Sequence, residues 1–399
     1  MINTTERHKK SITKSSSAPV SQAKARPLIN FSNLHVGGGV QVAASFLSEI
    51  SGAANWNPSP SVVLSSEVKD SLSDEVKSSH VISEAVVIDV RGFAPWSRLV
   101  RGQLDRSTLV FTLFGPLYRW NPPFKSIVGF AQPWIIYPNN ECYGMMTLFQ
   151  SFKSRIKFWA QAQFFKRADV LVVELEHVKL GLVKELGIDP SRIHVVYNCL
   201  SGIYADSNCW EAVTVPPADG SLRLGFVGRN YFHKNTAIFP EIASRLREKH
   251  GIEAKFYVTF TEAEWQACSP AFREVCVNVG VLSPAQCPAF YLSLDAVVFP
   301  SLLECFSATP LEAMAMGKPL FASDRPFNRD ICGEHAVYFD PNSPMDAADE
   351  IGRIFENGGP TKAVLDAARD HAITFSTPVA RAESYLALME LISSQTQFD

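Results

Sequence analysis

The feature that most constrains this chain is an alternation of short apolar runs with amphipathic stretches of helical length, which begins at Leu28. Such an alternation is typical of βα units in a parallel sheet. The expected strands are 28–32, 61–65, 85–90, 108–114, 169–175 and 192–197 in a first series, and 222–228, 254–260, 275–282, 295–300, 318–323 and 336–339 in a second. A polar stretch broken by prolines, 198–221, separates the two series. The sequence therefore predicts an α/β protein with two doubly wound domains that face each other across a cleft.

The chain length supports the same division. Its 399 residues exceed the ~250–300 at which a single hydrophobic core usually stops growing. The predicted parts are a disordered tail over 1–26, a first Rossmann-like domain over 27–200, a linker over 201–221, a second Rossmann-like domain over 222–375, and a C-terminal helix over 376–399 that is able to pack back on the first domain.

Composition excludes several classes of function. A net charge of −3 gives no overall basic field, which argues against nucleic acid as a partner. The eight cysteines show neither a C-x-x-C pair nor zinc-ligand spacing, so we expect reduced thiols in a cytoplasmic protein without a metal. No secretory signal is evident, and no window reaches the ~18 consecutive apolar residues of a membrane span. Any contact with a membrane is expected to be peripheral, on the inner face of the plasma membrane.

Three consecutive glycines, 37–39, lie between the first predicted strand and an amphipathic helix. Glycine lets backbone N–H groups approach an anion at a helix N-terminus, where the helix dipole is favourable. A turn that needs glycine only for chain geometry is the alternative, since the spacing is not that of a G-x-G-x-x-G dinucleotide motif.

Two cations follow the first predicted strand of the second domain. Arg229 and Lys234 lie in "VGRNYFHK", five positions apart, where they can converge on a diphosphate through charge-assisted hydrogen bonds. Taken alone, the same pattern is more typical of solvated loop cations.

Two carboxylates interrupt the apolar segment "SLLECFSATPLEAMAMGKPLFASD", residues 301–324. A buried unpaired charge is costly, so each needs a partner, a cap or a ligand. Glu312 fits a capping box with Thr309, and Pro310 follows at the start of the predicted helix. Glu304 falls in the preceding loop, where its carboxylate can accept hydrogen bonds from the hydroxyls of a polyol.

These residues resemble a known family. The glutamate pair followed by "AMAMGKPLFASD" is similar to the signature of the retaining glycosyltransferases of family 4, which have the two-domain GT-B fold. Further resemblance lies in "HVGGGVQVA", in "VGRNYFHK", in "VELEHVKLGLVKELGIDPSRIHVVYN" (173–198) and in "GEHAVYFDPNSP" (333–344). The resemblance covers most of residues 28–390, and its specificity lies in the order and spacing of the segments.

The resemblance implies a role for each matching position. Arg229 and Lys234 would bind the donor diphosphate, Glu304 the donor sugar, and Glu312 the ribose hydroxyls. The donor-binding residues that it implies are Gly38, Gly39, Arg229, Lys234, Glu304, Cys305, Phe306, Ser307, Ala308 and Glu312. The implied catalytic residues are Glu304, Arg229, Lys234 and Gln132. The first domain would bind the acceptor and the second the nucleotide sugar.

The family's reaction needs no cofactor besides the nucleotide-sugar co-substrate. In this family, retention of the anomeric configuration is explained by front-face attack, in which the leaving phosphate accepts the proton of the acceptor hydroxyl. The resemblance implies metal independence, and the sequence has no Asp-x-Asp motif.

Two positions depart from the family pattern. Many members have glycine where this chain has Ser307, and many have a histidine where this chain has "GFAQPWIIYPNN" (129–140). Gln132 can replace the histidine's hydrogen bond but not its ionisation. His35 and His177 are further candidates, although structural roles are more typical of such residues.

A basic and aromatic segment, 151–167, indicates a possible contact with an anionic membrane. Its cations are Lys153, Arg155, Lys157, Lys166 and Arg167, and no acidic residue lies between Glu141 and Asp169. The alternative is an ordinary amphipathic helix that packs its aromatic side chains inward.

The leading hypothesis is a retaining hexosyltransferase that moves a sugar from a nucleotide-diphosphate donor to a glycan acceptor. The expected acceptor is a lipid-linked surface polysaccharide of the O-antigen or capsule type. A non-catalytic GT-B module that binds nucleotide or glycan, or scaffolds other proteins, is the first alternative. A nucleotide-sugar 2-epimerase is the second.

Overall fold

The computed structural model of this protein describes residues 26–52, 60–92, 98–217 and 219–395. The tail predicted over 1–26 lies outside the described residues, apart from Arg26. Within the described ranges, no helix combines the length and the apolar content that crossing a membrane requires.

The first half of the chain forms a seven-stranded parallel sheet. Its strands are β1 (Leu28–Phe31), β2 (Ser61–Leu64), β3 (Val86–Val87), β4 (Leu109–Thr112), β5 (Lys125–Gly129), β6 (Val170–Val173) and β7 (Ile193–Val195). The order is β3-β2-β1-β4-β5-β6-β7, so the direction of progression reverses between β1 and β4. Ligands of open α/β sheets bind at the carboxyl ends of strands beside such a reversal.

Helices cover both faces of this sheet. They are α1 (Gly38–Gly52), α2 (Ser66–Asp70), α3 (Asp74–Ser78), α4 (His80–Ser83), α5 (Arg98–Leu104), α6 (Pro133–Ile136), α7 (Leu148–Phe165) and α8 (Glu176–Leu186). Helix α7 begins at a full capping box, in which Thr147 and Gln150 exchange side-chain to backbone hydrogen bonds.

The second half forms a six-stranded parallel sheet with the same pattern. Its strands are β8 (Leu222–Phe226), β9 (Ala254–Val258), β10 (Cys276–Asn278), β11 (Ala296–Phe299), β12 (Leu320–Ser323) and β13 (Val337–Phe339), in the order β10-β9-β8-β11-β12-β13. Its helices are α9 (Phe239–His250), α10 (Glu262–Gln266), α11 (Pro270–Val275), α12 (Cys287–Leu292), α13 (Thr309–Ala315), α14 (Pro326–Cys332), α15 (Pro344–Glu356) and α16 (Lys362–Thr374). The predicted α/β class with two doubly wound sheets is confirmed. The domain boundaries given above stay predictions.

Every predicted apolar run contains a strand, but the prediction missed β5. This strand begins with Lys125 and Ser126 and ends at Gly129, so its sequence lacks an apolar run of ordinary length. Glycine is required at the end, because a Cβ on Gly129 would lie 1.5 Å from the carbonyl oxygen of Leu113. The run predicted over 85–90 was too long, since only Val86 and Val87 pair with the sheet.

The two sheets meet through side chains near their carboxyl edges. The ring of Trp134 lies 5.8 Å from that of Phe232, measured between centroids. Arg325 forms an ion pair with Glu141 across the same boundary. Helix α6 therefore contacts the turn that precedes α9, and the turn after α6 contacts the start of α14.

The last helix, α17 (Pro378–Gln395), returns to the first sheet. Arg381 on this helix is buried, and its guanidinium donates to Asn198 Oδ1 at 2.5 Å and to Ser45 Oγ at 2.8 Å. Asn198 also donates to Glu174 at 2.7 Å. Burial raises the pKa of Glu174 to about 7, against the lowering effects of the Asn198 hydrogen bond and the Arg381 charge. One buried polar network thus joins α17 to the end of the first domain.

We expect Arg381→Ala to lower the free energy of unfolding by about 3–5 kcal/mol, because the change leaves Asn198 and Glu174 buried without their cationic partner. Urea denaturation measures this loss. The matched control is Arg369→Ala, on the exposed face of α16, for which a change within about 0.5 kcal/mol is expected. Equal stability of the two variants would contradict the anchoring role of Arg381.

Candidate functional site

Two loops at the carboxyl edge of the second sheet bring predicted donor residues together. Strands β8 and β11 are hydrogen-bonded neighbours, so the segments that follow them leave the sheet side by side. A turn over Phe232–Lys234 follows β8, and the loop 301–308 follows β11. The backbone N–H of Leu302 donates to the carbonyl of His233 at 2.8 Å, which holds the loop against the turn.

Lys234 and Glu304 form an ion pair in this place. Lys234 Nζ lies 2.6 Å from Glu304 Oε1, and the side chains are only 15% and 13% exposed. The Ser301 hydroxyl donates to the same carboxylate oxygen at 2.7 Å. Burying either charge without a partner would cost free energy. The ion pair therefore stabilises both side chains in this largely buried position.

Arg229 does not join this pair. Its Nε donates to both carboxylate oxygens of Glu264, at 2.9 and 3.0 Å, and its side chain is half exposed. Glu264 also closes the capping box of α10 with Thr261. Burial raises the pKa of Glu264, but the hydrogen bonds from Thr261 and Arg229 outweigh it, so the pKa is lowered overall. Arg229 and Lys234 thus each have a separate carboxylate partner.

Glu312 has a different partner from the one predicted. Helix α13 begins without a side-chain cap, and the Thr309 hydroxyl faces the carbonyl of Val227 at 3.4 Å. The Glu312 carboxylate instead accepts a hydrogen bond from the Tyr291 hydroxyl at 2.8 Å. The capping-box prediction was therefore wrong, because the side chain points back toward α12. Burial raises the pKa of Glu312, although the hydroxyls of Tyr291 and Tyr204 oppose that shift.

The segment between the two glutamates offers mainly its backbone. The side chains of Cys305 and Ser307 are buried, whereas Phe306 and Ala308 are partly exposed. Burial raises the pKa of the Cys305 thiol well above its usual value, which keeps the thiol neutral. Cys305 is therefore poorly suited to act as a nucleophile.

The remaining predicted residues lie in the first domain. Gly38 and Gly39 begin α1, and Gly37 before them adopts a φ of 68°. A Cβ on Gly38 would meet nothing within 4 Å, so the glycine there leaves the backbone open to solvent. Gln132 lies before α6 and lines a cavity of the first domain rather than the Lys234–Glu304 pair.

The two candidate histidines make structural contacts. The ring of His35 hydrogen-bonds Glu67 through Nδ1 at 2.7 Å and the carbonyl of Val90 through Nε2 at 2.8 Å. His177 lies between the domains, where its backbone N–H and its Nδ1 both contact Asp330 Oδ2 at 2.9 Å.

One group of ligand-type side chains could hold a metal by its spacing. His35, Glu67 and Asp89 place one such atom each within 4.8 Å of one another. Both ring nitrogens of His35 already have partners, Arg91 contacts Glu67 at 2.6 Å, and Ser66 hydrogen-bonds Asp89. These contacts explain why the three side chains lie close together.

Helix α7 presents an apolar stripe to solvent. The stripe consists of apolar side chains that are each at least half exposed: Leu148, Phe149, Phe152, Ile156 and Trp159. Phe165 is buried and Phe158 stacks on Trp134 at 5.5 Å, so the helix packs only part of its aromatic content inward. The alternative in which this helix packs its aromatic side chains inward was therefore wrong for the side chains of the stripe.

Three partners escaped the sequence reasoning. Glu264 was detectable as the acid of a capping box, "TEAE" over 261–264, but its bond to Arg229 was not. Neither Ser301 beside Glu304 nor Tyr291 beside Glu312 had a sequence signal, because hydroxyl-bearing side chains are common in loops and helices alike.

A family model and several solved structures are similar to this chain. Residues 221–357 match the model of the family described as glycosyl transferases group 1. A search of curated proteins finds no sequence that matches the chain.

Several solved structures share the fold along almost the whole chain. A glycosyltransferase from Rickettsia africae has 15% identity and a TM-score of 0.62, over 93% of this chain and 99% of that one. Anabaena HepE, in complex with UDP-glucose, has 12% identity and a TM-score of 0.63, over 92% and 100%. Sucrose-phosphate synthase from Thermosynechococcus elongatus has 14% identity and a TM-score of 0.63, over 93% and 100%. The chain thus has the GT-B fold, and residues 221–357 are similar to the glycosyl transferases group 1 family.

Proposed function

We propose that this protein is a glycosyltransferase that moves a sugar from a nucleotide-diphosphate donor to a glycan acceptor. The observation that carries the proposal is the Lys234–Glu304 pair, two oppositely charged side chains at 2.6 Å beside the carboxyl ends of β8 and β11. A diphosphate needs a cation and a sugar offers hydroxyl donors, so a bound donor supplies a new partner to each member of the pair.

Most of the other proposed contacts to the donor come from residues at the same edge of the second sheet. Arg229 is half exposed and can turn from Glu264 to the diphosphate. The backbone of 305–308 would contact sugar and phosphate oxygens, and Glu312 would accept hydrogen bonds from the ribose hydroxyls. Gly38 and Gly39 would approach the pyrophosphate from the first domain. The complexes of HepE with UDP and with UDP-glucose support UDP-sugars as the first donors to test.

In the proposed reaction, the oxygen of an acceptor hydroxyl forms a bond to the anomeric carbon while the bond from that carbon to the diphosphate breaks. Attack on the face of the leaving group retains the anomeric configuration, and the departing phosphate oxygen takes the proton of the acceptor hydroxyl. Arg229 and Lys234 stabilise the charge that develops on the diphosphate. Glu304 holds the sugar, and no metal takes part.

The proposed acceptor is a lipid-linked surface polysaccharide, reached from the inner face of the plasma membrane. The support is the stripe on α7, whose exposed apolar side chains are accompanied by the exposed cations Lys153, Lys157 and Lys166. An apolar stripe inserts into the boundary between headgroups and acyl chains, and cations beside it attract anionic headgroups.

We expect Glu304→Ala and Lys234→Ala each to lower sugar transfer roughly 100-fold or more, since each removes a contact to the charge or the sugar of the transition state. The measurement is transfer or donor hydrolysis with UDP-, GDP-, ADP- and dTDP-sugars, with and without EDTA, which should leave the rate unchanged. NMR of the product reports its anomeric configuration.

Matched controls are Glu262→Ala on α10 and Lys362→Ala on α16, both exposed, for which rates within about twofold of the wild type are expected. Full activity of Glu304→Ala would contradict the assigned site. Nucleotide binding without turnover across the panel would favour the non-catalytic module, and a C2-epimerised donor would favour the epimerase.

We expect the protein to sediment with vesicles of phosphatidylglycerol and phosphatidylcholine but only weakly with phosphatidylcholine alone. The Phe152→Ser/Trp159→Ser and Lys153→Gln/Lys166→Gln variants should each reduce binding about tenfold or more, because they remove inserted apolar area or headgroup attraction. Leu180→Ser, an exposed apolar site on α8, is the control. Vesicle binding that none of these changes alters would contradict membrane docking through α7.

A further inference from the structure

The segment that follows β9 lies against the turn that carries Arg229. Strand β8 pairs with β9 on the side away from β11, so the segments after β8 and β9 leave the sheet as neighbours. Both residues that flank Arg229 are bonded to this segment. The backbone N–H of Gly228 donates to Thr259 Oγ1 at 3.0 Å, and that of Asn230 donates to Glu264 Oε1 at 3.3 Å. The backbone at Arg229 is therefore held by the segment after β9.

The Glu264 carboxylate is fixed by donors of its own helix. Its Oε2 accepts hydrogen bonds from the backbone N–H and the hydroxyl of Thr261, at 2.9 and 2.8 Å. The Glu264 side chain is only 17% exposed. It thus offers Arg229 a rigid acceptor. A long side chain that binds such an acceptor loses rotamer freedom before a ligand arrives, which lowers the entropy cost of binding that ligand.

Arg229 uses only one of its three nitrogens for this contact. Its Nε donates to both oxygens of Glu264, at 2.9 and 3.0 Å, whereas Nη1 and Nη2 form no hydrogen bond with any described residue. The side chain is half exposed. A guanidinium is planar, and its two terminal amino groups match two oxygens of a phosphate. Glu264 therefore holds one edge of the guanidinium and leaves the other edge open to an anion.

Arg229 has two ways to contact a diphosphate. If it turned away from Glu264, this carboxylate would keep its charge in a largely buried position without a cation, which is costly. If Nε instead stays on Glu264 while Nη1 and Nη2 contact the phosphate, the cation is shared and no charge is left alone. The second way needs no rearrangement of the free protein, so the geometry favours it.

We infer that Glu264 is a positioning residue for the donor diphosphate: it holds Arg229 by Nε in the free and the bound protein and directs Nη1 and Nη2 toward phosphate oxygens. This inference rests on the proposed function, to which it adds a residue that does not itself touch the donor.

The test compares the affinities for UDP, GDP, ADP and dTDP with those for the corresponding nucleosides, by calorimetry and NMR competition. Glu264→Ala should weaken binding of the preferred diphosphate about tenfold and leave nucleoside binding unchanged, because a nucleoside has no phosphate for Arg229. Glu264→Gln should stay within about threefold of the wild type, since its amide oxygen still accepts from Nε. Glu262→Ala, an exposed change on the same helix, should alter neither affinity.

Thr261→Ala separates positioning from helix capping. It removes the hydroxyl of the capping box but keeps the Glu264 carboxylate and its bond to Arg229. Thr261→Ala and Glu264→Ala should both lower the melting temperature, and only Glu264→Ala should weaken diphosphate binding. In the Arg229→Ala background, Glu264→Ala should cause no further loss of affinity. Equal losses for diphosphate and nucleoside, or additive losses in the double variant, would show that Glu264 serves only the fold.

The bound state is tested by the NMR signal of the Arg229 Nε–H group, which is identified by its loss in Arg229→Ala. This proton should stay protected from exchange with solvent when the preferred diphosphate saturates the wild type. Rapid exchange in the bound state alone, or tighter diphosphate binding by Glu264→Ala, would overturn the inference, because either result shows that Glu264 competes with the phosphate. A wild type that binds none of the four diphosphates would contradict the proposed function itself and the inference with it.

Discussion

The parallel pairing of β8 with β11 is the constraint on which the candidate site depends. Hydrogen bonding between these neighbours makes their carboxyl ends coincide, so the turn 232–234 and the loop 301–308 leave the sheet together. Lys234 and Glu304 are 70 positions apart in the chain and yet 2.6 Å apart in space for this reason. The first sheet repeats the arrangement around β1 and β4, where its cavity lies.

Two of the three carboxylates at the site form separate ion pairs. Lys234 contacts Glu304, Arg229 contacts Glu264, and Glu312 is held by a tyrosine hydroxyl rather than by a cation. Partial burial makes each isolated charge costly, and the pairs remove that cost in the free protein. A charged ligand can bind at such a site by replacing one member of an ion pair. The side chain that bonds to the ligand then releases its former partner within the protein.

Helix α7 has two faces with different physical character. One face holds Gln161 against Tyr118 and lines the cavity, while the other exposes Phe152 and Trp159. The mixture explains why the helix lacks the single apolar side expected of an ordinary surface helix, and why its sequence was compatible with two opposite interpretations.

The sequence by itself determined the α/β class, the two series of strands and the residue types at the candidate site, because apolar periodicity and turn chemistry are local properties. It did not determine β5, where Lys125 and Ser126 interrupt the apolar pattern and Ser126 is satisfied by Asp169, 43 positions away. Only the tertiary structure decided that Glu264 pairs with Arg229, that Tyr291 rather than Thr309 contacts Glu312, and that the stripe on α7 faces solvent. These contacts follow from strand order and helix packing, which bring together side chains that no local pattern connects.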